Sequence, residues 1–113
     1  MEPGEYVVVP FNSQGGVGAR LDVTATSASI AVPTPGGDTQ SAVLVCITNY
    51  GVNPAFVALG KSPQTATTNH QCVLPGTQTV WGIPYVMEAP LYMAAICESG
   101  QTTKLQITRG YGN

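Results

Sequence analysis

The chain has 113 residues and a net charge of −2, and only 9% of its residues are charged, whereas about 25% is usual for a soluble domain. This length fits one domain with a single core, and no apolar run reaches the roughly 18 to 20 residues that a membrane helix needs. The four basic residues are too few and too scattered for a stripe that tracks phosphates, so we expect neither a nucleic-acid partner nor a membrane partner.

The N-terminal residues 1–18 differ in kind from the rest of the chain. An apolar run, "EYVVVPF", is followed by "NSQGGVG", a Gly-rich stretch of the sort that acts as a flexible spacer. The run is either the first strand of the fold or an arm that docks on a partner. In both cases the apolar side chains need to be buried, and we predict an assembly interface formed by Tyr6, Val7, Val8, Val9 and Phe11.

Residues 19–113 show strand patterns almost throughout, and no stretch of a dozen residues keeps apolar positions at helical spacing. Short runs rich in Val, Ile, Thr and Ala are separated by Gly, Pro and Asn, as in a sandwich or a small barrel. We predict an all-β, single-domain antiparallel β-sandwich, jelly-roll-like, with about eight strands. The candidates, counting the N-terminal run, are residues 5–9, 19–26, 28–32, 41–49, 55–60, 77–83, 91–98 and 102–109.

Three strand candidates carry further information. "AVLVCI" is apolar on both faces, which indicates either a central strand covered on each side or a strand whose outer face meets another chain. The last strand alternates, so Leu105 and Ile107 should face the core. "ESGQT", between the last two strands, predicts a hairpin in which those strands pair.

The three cysteines, Cys46, Cys72 and Cys97, are an odd number and show no metal-binding spacing. We expect reduced thiols, with Cys46 and Cys97 packed in apolar strands and Cys72 the most accessible. No metal site is expected.

Catalytic chemistry has little support in the sequence. His70 is the only histidine and lies in a loop-like stretch, and the six carboxylates are spread over six segments without the spacing of an acid–base pair. No Gly-rich motif for binding phosphate is present. Trp81 lies in a strand pattern that favours core packing over ligand stacking. We therefore predict that the protein is not an enzyme and has no cofactor.

From Ala42 to Gly112, "VLVCITNYGVNPAFVALGKSPQTATT", "VLPGTQTVWGIP" and "YMAAICESGQTTKLQITRGYG" resemble small structural proteins of tailed bacteriophages. The resemblance covers about two thirds of the chain. It implies a head decoration, or cement, protein: a homotrimer that binds the major capsid protein on the outside of the head, is located in the virion and is assembled in the host cytoplasm. A surface poor in charge agrees with this role, since few charges need to be desolvated on contact.

A different class of function uses the same fold class. A binding module of a tail fibre or adhesin, recognising a carbohydrate or receptor, would place Trp81 or several tyrosines in exposed loops at one end. For either function, we predict that deleting residues 2 to 18 leaves a folded β protein that binds its assembly partner more weakly.

Overall fold

A computed structural model describes residues 17–33, 44–83 and 90–110 of the chain. Eight strands and no helix are present among these residues. The strands are β1 (Ala19–Val23), β2 (Ala28–Ala31), β3 (Leu44–Asn49), β4 (Ala55–Gly60), β5 (Gln71–Val73), β6 (Gln78–Gly82), β7 (Tyr92–Ile96) and β8 (Thr103–Gly110).

The strands form two four-stranded antiparallel sheets. Sheet I has the order β1-β8-β3-β6 and sheet II the order β2-β7-β4-β5. The pairs β1 with β8, β2 with β7, β3 with β6 and β4 with β5 are those of one long hairpin wrapped into a sandwich. This is the strand order of an eight-stranded jelly roll, and the predicted all-β sandwich is confirmed.

The core lies between the sheets and is built by alternate residues of each strand. In β8, Leu105 and Ile107 are fully buried while Lys104 is exposed, as the alternation predicts. In β3, Val45 and Ile47 point into the same core. Other members of the core cluster are Leu21, Val23, Val32, Ala55, Val57, Val73, Ile83, Leu91, Met93, Ala95 and Cys97.

The set of eight strands differs from the predicted set at two places. The run at 5–9 lies outside the described residues. The other seven candidates correspond to β1, β2, β3, β4, β6, β7 and β8. The eighth strand is β5, which the sequence did not reveal because it has only three residues and follows polar loop residues. All eight strands of a jelly roll are therefore found among the described residues.

The predicted hairpin between the last two strands is wrong. A turn does form, since Gly100 has a φ of 79° and the Gln101 N–H donates to the Glu98 carbonyl at 3.0 Å. However, β7 belongs to sheet II and β8 to sheet I, where β8 pairs with β1 and β3. The turn therefore carries the chain from sheet II to sheet I. β7 and β8 each pair with strands that lie earlier in the sequence, and not with each other.

Four connections meet at one end of the sandwich, which we call the loop end: residues 24–27, 50–54, 74–77 and 97–102. Backbone hydrogen bonds tie them together, from the Tyr50 N–H to the Lys104 carbonyl (3.0 Å) and from the Cys97 N–H to the Thr24 carbonyl (2.8 Å). The β4–β5 loop, residues 61–70, leaves β4 at the opposite end, where β1 begins and β8 ends, and returns across sheet II as far as Ser27. The loop end is thus fully described, and it contains the candidate site.

Candidate functional site

The residues predicted to form the assembly interface, Tyr6, Val7, Val8, Val9 and Phe11, lie outside the described residues. The prediction for them stays as it was made.

The single histidine is exposed in the β4–β5 loop. Its Nδ1 accepts a hydrogen bond from the Thr67 N–H at 2.9 Å, and the His70 N–H donates to the Thr67 carbonyl. The arrangement that would favour a hydrolase, a buried His70 against a carboxylate, is therefore not the one observed. Trp81 in β6 is half-buried and packs against the core.

The three thiols are free and lie as predicted. Cys46 and Cys97 are buried, and Cys72 is half-exposed in β5. Burial raises the pKa of the Cys97 thiol above its usual value. Burial also raises the pKa of the Cys46 thiol, although side-chain hydrogen bonds from Gln78 and Thr48 act in the opposite direction.

Large apolar side chains are exposed at the loop end. Val52 in the β3–β4 connection is 82% exposed, Leu74 after β5 is 56% exposed, and Tyr50 is 45% exposed. A single exposed apolar residue is ordinary, but three at one end of the sandwich, on connections that hydrogen bonds join, can contact a partner together. Tyr50, Val52 and Leu74 are hereafter called the loop-end patch.

The loop-end patch is held by Asn49, the last residue of β3, which is fully buried. The Asn49 side-chain amide donates to the carbonyls of Asn53 and Val73, both at 2.9 Å. Its Oδ1 accepts from the Gly51 N–H at 3.1 Å and from the Thr103 hydroxyl at 2.8 Å. One side chain thus joins the connection that carries Tyr50 and Val52 to the end of β5 and the start of β8.

The backbone of the same residue reaches the connection that carries Leu74. The Asn49 N–H donates to the Thr77 carbonyl at 3.0 Å, and the Gly76 N–H donates to the Asn49 carbonyl at 2.8 Å. Asn53 adds a bond from its Nδ2 to the Thr102 carbonyl at 2.9 Å. Because hydrogen bonds fix each connection, the loop-end patch is presented in one arrangement.

An open groove of about 450 Å³ runs beside Tyr50 and Val52. The Arg20 guanidinium lies 5.9 Å from the centroid of the Tyr50 ring, within the range of a cation–π contact, and fixes one face of the ring. The groove is lined by residues 22–24, 50–52 and 102–104. Its charged members are Asp22 and Lys104, which are direct partners across β1 and β8.

The chemistry available at the loop end is that of contact and hydrogen bonding. Within the described ranges, no three His, Cys, Asp or Glu side chains come together as a metal site would need. None of the described segments is a helix long and apolar enough to cross a membrane.

The sequence predicted the apolar strand that ends at Asn49 but did not reveal the site. The signal was present as two asparagines four residues apart at the end of an apolar strand. Their partners, Val73, Thr102 and Thr103, are far away in the sequence and could not be assigned from it.

The chain was compared with protein-family models, with curated proteins and with solved structures, and none of the three comparisons gave a match.

Proposed function

We propose that this chain is a structural virion protein of a tailed bacteriophage, a capsid decoration protein that binds the outside of the head through the loop end and stabilises the shell. The observation that carries the proposal is the loop-end patch, which presents apolar side chains from rigid connections on a domain poor in charge. The resemblance of residues 42–112 to small phage structural proteins supports the same role.

The energetics of the loop-end patch favour a contact role. Burying a side chain such as Val52 or Leu74 in an interface contributes roughly 1.5 to 3 kcal/mol each. Connections that are already fixed by Asn49 lose little conformational entropy on binding, so more of that gain remains as affinity. Apolar anchors beside polar residues, here Asp22, Thr102 and Lys104, also resemble the apolar centre and polar rim of a protein–protein interface.

The proposed partners are the major capsid protein and further copies of this chain, as a homotrimer on the capsid surface. Residues Tyr6, Val7, Val8, Val9 and Phe11 are proposed as a second assembly contact, separate from the loop-end patch.

Two valine variants at opposite ends of the sandwich test the proposal. Val52→Asp places a charge in the loop-end patch, whereas Val17→Asp makes the same change at the other end, where Val17 is 69% exposed. We expect Val52→Asp to weaken co-sedimentation with undecorated capsids about tenfold or more, which corresponds to about 1.4 kcal/mol. Val17→Asp should bind as the native chain does, and equal binding of all three chains would contradict the loop end as the docking surface.

The second candidate function is a binding module for a carbohydrate or receptor in a tail fibre or adhesin. One observation favours it: Tyr50 lies beside a groove that also offers the Asp22 carboxylate and the Thr24 and Thr102 residues. In this case the native chain should bind a glycan array, and Tyr50→Ala should abolish that binding. Binding to capsids without any binding to glycans would favour the decoration role.

A further inference from the structure

The two sheets differ in how their outer faces are covered. On sheet II the β4–β5 loop crosses the outer face, where Ala66 packs on Ala58 and Ala94. The Ala66 N–H donates to the Ser27 hydroxyl at 2.8 Å, which holds the loop in place. No comparable cluster of described residues covers the outer face of sheet I.

One half of the outer face of sheet I consists of glycines and of short side chains that are mostly apolar. Thr108, Cys46 and Val80 are directly paired across β8, β3 and β6 and form one row, with Gly110, Leu44 and Gly82 as the next row. Cys46 is buried, yet it is not a member of the core cluster between the sheets. These two rows, which we call the apolar rows, have short side chains and form a shallow surface on which an extended segment can lie.

The other half of the same face carries cations. Arg20 on β1 and Lys104 on β8 are both exposed, and together they are two of the four basic residues in the chain. Asp22 lies opposite Lys104, and Arg20 lies opposite Gln106, in the row that comes between Lys104 and the apolar rows.

The N-terminal segment enters the described fold beside this face. Gly18 precedes β1, and a Cβ at Gly18 would lie 2.5 Å from the Thr108 Oγ1 and 3.0 Å from the Gln106 Nε2. Both of those side chains belong to the outer face of sheet I. Residues 12–17 can span about 20 Å when extended, whereas three strand spacings, the distance from β1 to β6, are about 14 Å.

The sequence of the segment matches the pattern of the face. Phe11 is six residues from Glu5, and Gly110 is six residues from Lys104, so both stretches span about 20 Å in extended form. With Phe11 at the level of Gly110, the residues nearest Phe11 can lie over the apolar rows, and those nearer Glu5 over Gln106 and Thr48. Glu5 then reaches the charged end with Arg20 and Lys104. The chain must then turn back between Phe11 and the start of β1. The glycines of "NSQGGVG" permit such a tight turn.

We propose that residues 5–11 pack across the outer face of sheet I of the same chain, over Leu44, Cys46 and Val80, with Glu5 facing Arg20 and Lys104. An extended segment directs alternate side chains to opposite sides. Glu5, Val7, Val9 and Phe11 then face the sheet. Of the residues of the second assembly contact, Tyr6 and Val8 remain available to a partner. The packing concerns the isolated subunit and does not depend on a capsid partner.

Nuclear Overhauser contacts in the isolated full-length protein test the placement directly. We expect contacts from the methyl groups of Val7 and Val9, which lie on the same side of the segment as Glu5, to those of Leu44 and Val80. A sample that mixes isotope-labelled and unlabelled chains separates contacts within one chain from contacts between copies. Contacts only between copies, contacts at another surface, or no contacts from the segment would each overturn the proposal.

A matched pair of variants provides the second test. Val80→Lys puts a long cation in the apolar rows, and Ser29→Lys makes a similar change at an exposed position on the outer face of sheet II. We expect loss of the segment's contacts in Val80→Lys and their retention in Ser29→Lys, while the β-sheet spectrum of both stays native. Retention in Val80→Lys would overturn the placement. Since no capsid is used, this result is separate from the test of the proposed function.

Discussion

At the scale of single residues, the loop end depends on Asn49 more than on any exposed side chain. Asn49 is fully buried, and each polar atom of its amide has a partner. Polar groups buried without partners are costly, and networks in which all groups are satisfied make a local arrangement unique. The exposed loop-end patch is therefore fixed by a buried residue that never touches the proposed partner.

Replacing Asn49 by Ala should lower the free energy of unfolding by on the order of 3 kcal/mol, because several buried groups lose their partner at once. Asn53→Ala is the matched control, since Asn53 makes one side-chain bond, to the Thr102 carbonyl at an exposed position, and should cost about 1 kcal/mol or less. Urea unfolding measures both variants. Similar losses for the two would show that the Asn49 network is not the main constraint at the loop end.

The cysteines allow a second prediction at this scale. The reactive form of a thiol is the thiolate, and a raised pKa lowers the thiolate fraction at any given pH. Cys46 and Cys97 are both buried with raised pKa values, so they should react slowly with a thiol reagent near pH 8. Native titration should find one fast group, Cys72, or none, and Cys72→Ser should remove any fast phase. Three fast groups would contradict the placement.

At the scale of elements, the connections decide the fold more than the strands do. Among the eight described strands, six of the seven connections pass from one sheet to the other, and only β4 and β5 are neighbours both in sequence and in a sheet. A turn motif such as "ESGQT" therefore indicates that the chain changes direction there, but it does not show that the two flanking strands pair. Close approach of the chain to itself at these connections restricts which residues fit.

Gly51 in the β3–β4 connection is such a position. A Cβ there would overlap the Thr103 side chain and lie 2.6 Å from the Lys104 backbone nitrogen. Gly51→Ala should therefore displace the connection and lower the free energy of unfolding by about 1 to 3 kcal/mol. At Gly82 the nearest atom to an added Cβ is 4.0 Å away, so Gly82→Ala should be close to neutral in the same unfolding measurement. A neutral Gly51→Ala would show that the connection adapts.

At the scale of the whole molecule, the eight strands of the jelly roll, β1 to β8, all lie within the described residues. Each sheet has its four strands, and the core cluster between them is made from residues 21–107. The division into an N-terminal segment and a sandwich that begins at residue 19 stays a prediction, and the start of β1 at Ala19 agrees with it.

Deletion of residues 2–16 should leave a folded β protein, as measured by far-ultraviolet circular dichroism, with a lower melting temperature than the full chain. Gly18 is kept because it packs against Thr108. Binding to undecorated capsids should be weaker, since the second assembly contact is removed. Loss of the β spectrum would show that the segment is an integral part of the core.

The sequence by itself determined the fold class and most strands of this protein. Alternation in β8 and the apolar runs around Val45 and Met93 are local patterns, and the period of two is a property of any strand with one buried face. The burial of Cys46 and Cys97 followed from the same local patterns. The charge-poor surface was also visible in composition alone.

Only the tertiary structure decided which strands are neighbours and where the site lies. β5 is too short to give a pattern, and the pairing of β8 with β1 and β3 joins residues that are far apart in the chain. The side-chain partners of Asn49 come from the β3–β4 connection, the end of β5 and the start of β8. The positions of Tyr50, Val52 and Leu74 depend on these contacts. Such contacts depend on which sheet each connection enters, and that choice is made by the packing of the whole core and not by any local stretch of sequence.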